Sequence, residues 1–156
     1  MSDNSSPQLP ALGFATDLDE KERGSLGSFG QFVTVYEGDH LIEEGKSQDS
    51  LFLVISGNFH VKTMATGREV LLGQVKAGDT MGEVNIFDPG LASASVTAHS
   101  LAQAWKIDRS SLEQFLEDNP AAAARVLVGI ATQLSKRLRK TNEKVAMARE
   151  AMLGSY

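Results

Sequence analysis

The chain has 156 residues, enough for one domain with a substantial core, and its 42% apolar and 22% charged content is that of an ordinary globular protein. A formal net charge of −5 argues against a nucleic-acid surface, which needs a positive footprint. There is no cysteine, which excludes a disulfide framework and thiolate metal sites and fits a reducing, cytoplasmic setting.

Met1 to Ser6 is polar, so no secretory leader is expected, and no apolar run approaches the ~18 residues of a membrane span. Residues 1–13 read as a flexible arm. Thr16 or Asp17 is placed to cap a short helix running through Leu26, with Gly27 and Gly30 closing it.

From Phe32 to Ile107 helical spacing gives way to short strand-like runs separated by glycines. Phe32–Tyr36 is β-branched and aromatic. Leu51–Ile55 is a continuous apolar run, as in a strand buried on both faces. Phe59–Val61, Val70–Leu72 and Ala104–Ile107 follow. The clearest strand is Ser93–His99, with Ala94, Val96 and Ala98 alternating against Ser93, Ser95, Thr97 and His99. Strands of this length, with turn residues about every ten positions, predict a compact antiparallel sandwich or roll.

Helical spacing returns after Asp108, which can cap a helix carrying Leu112, Phe115 and Leu116. Asn119–Pro120 signals a second start. Beyond it, Leu127, Ala131, Leu134, Leu138, Thr141, Val145, Ala148 and Met152 are spaced alternately by four and three, the seam of a coiled coil. A helix of about thirty residues spans ~45 Å, longer than this domain can cover. A second copy of the chain is the simplest partner for the seam. Its first turns, near Val126 and Ile130, are expected to pack on the β domain instead.

Gly78-Asp79-Thr80-Met81-Gly82-Glu83-Val84-Asn85-Ile86-Phe87 carries the chemistry. A short helix opening at Gly82 would offer free N–H groups to an anion, and the glycine would admit a ligand close to the backbone. Glu83 beside such a site makes sense as an acceptor for ligand hydroxyls. The same spacing also fits a β-turn with a solvated glutamate.

Four segments together resemble the cyclic-nucleotide-binding domain family: Leu41–Gly45, Leu51–Gly57, Gly78–Glu83 and Ala92–Val96. The resemblance runs from about Phe14 to Val145 and implies a mainly β fold. That fold is an antiparallel β-roll of eight strands over 14–118, with short flanking helices and a long C-terminal dimerisation helix over 119–153. It also implies that Gly82 to Ser95, including Val84, Asn85, Ser93 and Ala94, is a phosphate-binding cassette. There, backbone amides hold the cyclic phosphate and Glu83 accepts from the ribose 2′-hydroxyl. The family arginine that pairs with the phosphate falls on Ala92, or on Ser93 with one residue of slippage. Neither is charged, so weak cAMP binding is expected.

Gln133–Val145 is similar to the family's dimer helix, which implies that Arg137, Thr141 and Asn142 line the pocket and that Ile42 and Leu72 contact the base. On spacing alone, Thr141 is equally a polar interruption of the seam, Arg137 a solvated charge, and Ile42 and Leu72 ordinary core. The basic run Lys136-Arg137-Arg139-Lys140 reads as a solvated helix face.

No catalytic arrangement is visible, and His40, His60 and His99 are scattered in the sequence. The chain is therefore expected to be a cytoplasmic, homodimeric regulator rather than an enzyme, with no resident metal or cofactor. Its expected ligand is a cyclic nucleotide or related small anion, its downstream protein partner is open, and neither DNA nor membrane is an expected partner. The alternative is a dimeric interaction module whose pocket has degenerated. Related transcription factors continue into a helix-turn-helix, for which the sequence to Tyr156 leaves no room. A free-standing sensor or adaptor, or one domain of a larger protein, is expected.

Overall fold

The computed structural model of the protein describes residues 7–154. A 3-10 turn at Gly13–Ala15 and helix α1 (Glu20–Ser28) precede the β region. The strands are β1 (Gln31–Val35), β2 (His40–Ile42), β3 (Ser50–Ser56), β4 (Asn58–Ala65), β5 (Arg68–Lys76), β6 (Thr80–Met81), β7 (Ser95–Ala98) and β8 (Ala102–Asp108). A one-turn helix, α2 (Glu83–Phe87), sits between β6 and β7, and α3 (Arg109–Asp118) and α4 (Pro120–Leu153) close the chain.

The strands form two antiparallel four-stranded sheets, ordered β1-β8-β3-β6 and β2-β7-β4-β5. This is the expected β-roll. The continuous apolar run of β3 does what such a run requires. Phe52 and Val54 join Val35, Ile42, Phe59 and Val96 between the sheets, while Leu51 and Leu53 join Trp105, Phe115, Val126 and Ile130 under the helices. Sheet one thus carries core on both faces.

The start of α1 corrects the sequence reading. The cap of α1 is Asp19, not Thr16 or Asp17: its carboxylate accepts from the Glu22 N–H at 2.8 Å, and Glu22 accepts from the Asp19 N–H at 3.0 Å. That reciprocal box satisfies two free donors, which neither earlier residue does. Asp108 caps α3 as expected. Asn119–Pro120 starts α4 as expected, with Asn119 at the N-cap and its carbonyl accepting from the Ala123 N–H at 2.8 Å; the Asn119 side chain makes no cap bond and instead donates to the Phe115 carbonyl at 3.1 Å, closing α3. The packed chain also begins before residue 14. Leu9 is fully buried in the helix-side core and Leu12 packs against it, so this part of the expected arm is not loose. Residues 1–6 of that arm lie outside the described residues.

Helix α4 runs unbroken to Leu153, and its first turns pack inward through Ala122, Val126 and Ile130. Gly129 sits there because the 3-10 turn comes close: a Cβ on it would stand 2.9 Å from Phe14 Cα. Alanine at 129 improves helix propensity by up to ~1 kcal/mol, but overlap with backbone outweighs that gain. Gly129→Ala is therefore expected to lower stability by about 1–3 kcal/mol in urea unfolding; a stabilised variant contradicts this packing.

Candidate functional site

Gly82 begins the site with a φ of 82°. A side chain there would collide with the Ser50 carbonyl and the Gln48 amide, so glycine is required by conformation and by space. This forced turn drives the next residue inward. Glu83 is only 3% exposed. A carboxylate at that depth needs a counter-charge. Arg137 of α4 supplies it: Nη1 donates to Glu83 Oε1, and Nη2 donates to the Thr80 carbonyl at 2.6 Å.

Glu83 Oε2 and the neighbouring Thr80 Oγ1 are both buried and have no hydrogen-bond partner. The structure therefore holds an uncommitted carboxylate oxygen and an uncommitted hydroxyl within one β6–α2 corner.

One helical turn before Arg137, Gln133 grips the same strand. Its Oε1 accepts from the Thr80 N–H at 3.2 Å, and its Nε2 donates to the Gly78 carbonyl at 3.0 Å. β6 is a sheet edge, and α4 covers its open backbone groups with side chains. Further along, Lys144 Nζ donates to the Leu72 carbonyl at 3.3 Å, bringing α4 to β5. Sequence reading did not single out Gln133 or Lys144. Their signal is spacing: 133, 137 and 144 share one helix face beside the apolar seam.

The rest of the cassette is organised by backbone. Asn85 Nδ2 donates to the carbonyls of Gly90 and Leu91 at 3.1 and 3.3 Å, holding the loop after α2. The Ala92 N–H donates to the Lys46 carbonyl, and its carbonyl accepts from the Gly45 N–H. Ser95 Oγ accepts from the Glu44 N–H at 2.9 Å.

Ala92 is buried in the cluster between the sheets, together with Ile42. Ser93 is exposed, Ala94 half-buried, and Val84 faces outward at 54% exposure. Leu72 is half exposed beside Lys144. Thr141 is exposed and its hydroxyl donates back to the Arg137 carbonyl, and Asn142 is exposed one position on. Within the chain, the structure brings Gly82, Glu83 and Arg137 together but does not bring Thr141 to the cassette. The expected anion site at the α2 opening is modest, because a five-residue helix sums few peptide dipoles.

The histidines are not scattered in space. His40 and His60 both register against Thr97 from either side, His40 Nδ1 lies 2.8 Å from Thr97 Oγ1, and His60 stacks on His99 with centroids 3.9 Å apart. Burial, then the neighbouring His99 and Lys62, hold the His60 imidazole below the ordinary histidine range. Among the described residues, no group of three or more metal-ligating side chains is arranged to hold an ion.

The fold thus joins a β-roll, a glycine-driven turn, a buried glutamate and a covering C-terminal helix. Residues 32–119, more than half of the chain, match the cyclic nucleotide-binding domain family, and the protein belongs to it. It is similar to the CRP-like cAMP-activated global transcriptional regulator of Mycobacterium tuberculosis, at 34% identity over 117 residues, covering 74% of this chain and 50% of that protein. The chain spans about half the length of the curated relatives it matches. Among solved structures, it resembles a cyclic nucleotide-binding domain from Methylobacillus flagellatus, with TM-score 0.80, 25% identity, and 85% and 75% of the two chains covered. It also resembles the N-terminal domain of a transcriptional regulator from Streptomyces coelicolor A3(2), with TM-score 0.70, 29% identity, and 87% and 95% covered.

Two outcomes follow from this geometry. Gln133→Leu leaves the buried Thr80 N–H without a partner, so stability falls by about 1–3 kcal/mol and exchange of the Thr80 amide accelerates. Unchanged exchange at Thr80 contradicts the grip on β6. For His60, the fold favours the neutral ring. Its contribution is fully present above the unfolded value near ~6.5 and is lost as pH falls through the lower folded value. Chemical unfolding between pH 8 and 5 is expected to show stability declining with acid, and His60→Gln to flatten that slope.

Proposed function

We propose that the protein is a regulatory sensor domain that binds a cyclic nucleotide or a closely related ribose-bearing ligand and signals through α4. It acts by binding, not catalysis. The observation that carries this reading is Glu83: a carboxylate 3% exposed, paired on one oxygen by a helix arginine and free on the other. A buried carboxylate oxygen without a donor is uncommon and calls for one. A ribose hydroxyl is a suitable donor to the free oxygen. The relatives are cAMP-activated transcriptional regulators, which supports the ligand class.

Signalling follows from the helix. Arg137 and Gln133 tie α4 to the cassette, and the adjacent stripe carries the seam. Leu138, Val145 and Met152 are 61%, 54% and 72% exposed in the protomer. An apolar stripe that long on one helix is suited to a second copy of itself. Thr141 and Asn142 lie on the same stretch, where in a dimer they would approach the other protomer's pocket.

A second reading has one observation in its favour. The position where many family members carry a phosphate-binding arginine falls here on the buried, apolar Ala92 or, with one residue of slippage, on the uncharged Ser93, which suits a dimeric interaction module with a silent pocket. Thermal shift with a panel of ribonucleosides, cyclic mononucleotides and cyclic dinucleotides separates the two. At least one compound is expected to raise Tm, and Glu83→Gln to abolish the shift; a flat response across the panel selects the interaction module.

The helix role has its own check. Glutamate at both Leu138 and Val145, which are not part of the protomer's own core, is expected to give a monomer by light scattering where the parent chain gives a dimer. A dimer mass retained by the double variant contradicts pairing through this seam.

A further inference from the structure

We infer that the ligand preferred by this pocket is an uncharged ribonucleoside, not its cyclic phosphate. This rests on the reading that the Gly82–Ser95 cassette holds a ribose. The charge balance of the site carries the inference. An anion buried at the cassette needs a cation or several committed donors. The cassette cation, Arg137, already spends Nη1 on Glu83 and Nη2 on the Thr80 carbonyl. Lys46, whose backbone pins Ala92, pairs with Glu43 at 2.9 Å. Lys62, which registers against Ser95, pairs with Glu69 at 3.0 Å. Ala92 offers a methyl group in an apolar cluster.

The remaining polar groups ask for the opposite of an anion. Glu83 Oε2 is a buried acceptor without a donor, and Thr80 Oγ1 is a buried hydroxyl without a partner. A phosphate held at this cassette has Ala92 where a cation would pair with it and is left to backbone amides alone. A nucleoside brings vicinal hydroxyls that donate to Glu83 Oε2 and engage Thr80 while leaving the Glu83–Arg137 pair intact. The site as built is neutral when that pair is closed, and a neutral polyhydroxyl ligand keeps it so.

Calorimetric titration of the full chain tests this with adenosine, guanosine, cytidine and uridine against the four corresponding 3′,5′-cyclic monophosphates. One nucleoside is expected to bind at least tenfold more tightly than its cyclic phosphate. The 2′-deoxy form of that nucleoside is expected to lose at least tenfold, because the buried acceptor is left unpaired. Ser93→Arg, at an exposed position, is expected to tighten the cyclic phosphate about ten- to a hundredfold. A cyclic phosphate that binds the parent chain as tightly as its nucleoside overturns the inference while leaving the sensor reading in place. No binding by any of the eight compounds overturns the sensor reading, and the inference with it.

Discussion

The contact between Glu83 and Arg137 is the constraint around which the site is arranged. A carboxylate held at 3% exposure is costly unless it is paired. It is held there by the turn at Gly82, whose positive φ and contact with the Ser50 carbonyl leave no alternative residue or path. The counter-charge comes from a helix 54 residues further along the chain. Pocket and helix are therefore not separate modules. One ion pair ties the cassette to α4, with Gln133 fixing the same strand a turn away.

This arrangement gives α4 two neighbouring stripes with different tasks. Val126, Ile130, Gln133, Arg137 and Lys144 face the β domain, passing from apolar anchoring in the first turns to polar contact with β6, α2 and β5. Leu138, Val145 and Met152 lie beside them and are exposed. On the proposed reading, a ligand that engages Glu83 would act on a group that ties the first stripe to the cassette, and a shift of the helix would move the second.

Much of this is legible in the sequence, for identifiable reasons. The roll follows from glycine-punctuated short strands, and β3 announces its two-sided burial through an unbroken apolar run. Ser95–Ala98 shows the expected alternation, with Val96 and Ala98 buried, although the strand is shorter than the pattern over 93–99. The Gly82–Glu83 pair is visible as a motif. Its burial is not, because that depends on Ser50 and Arg137, remote in sequence. Gln133 is hidden for the same reason: its partners are backbone groups of another element, which leave no trace in residue type. Position 92 is identified as lacking charge, but only the packed structure places its methyl group between the sheets. The histidines illustrate the limit, since three isolated residues become one strip only when β2, β7 and β4 are laid side by side.

The most direct measure of this account is the coupling between Glu83 and Arg137, read from the urea-unfolding stabilities of Arg137→Met, Glu83→Gln and the double variant. Removing Arg137 alone strands a buried carboxylate, whereas the double variant does not, so the double variant is expected to recover part of the loss, with a coupling of about 1–3 kcal/mol. Strictly additive effects of the two single substitutions would contradict the claim that this pair joins the pocket to the helix.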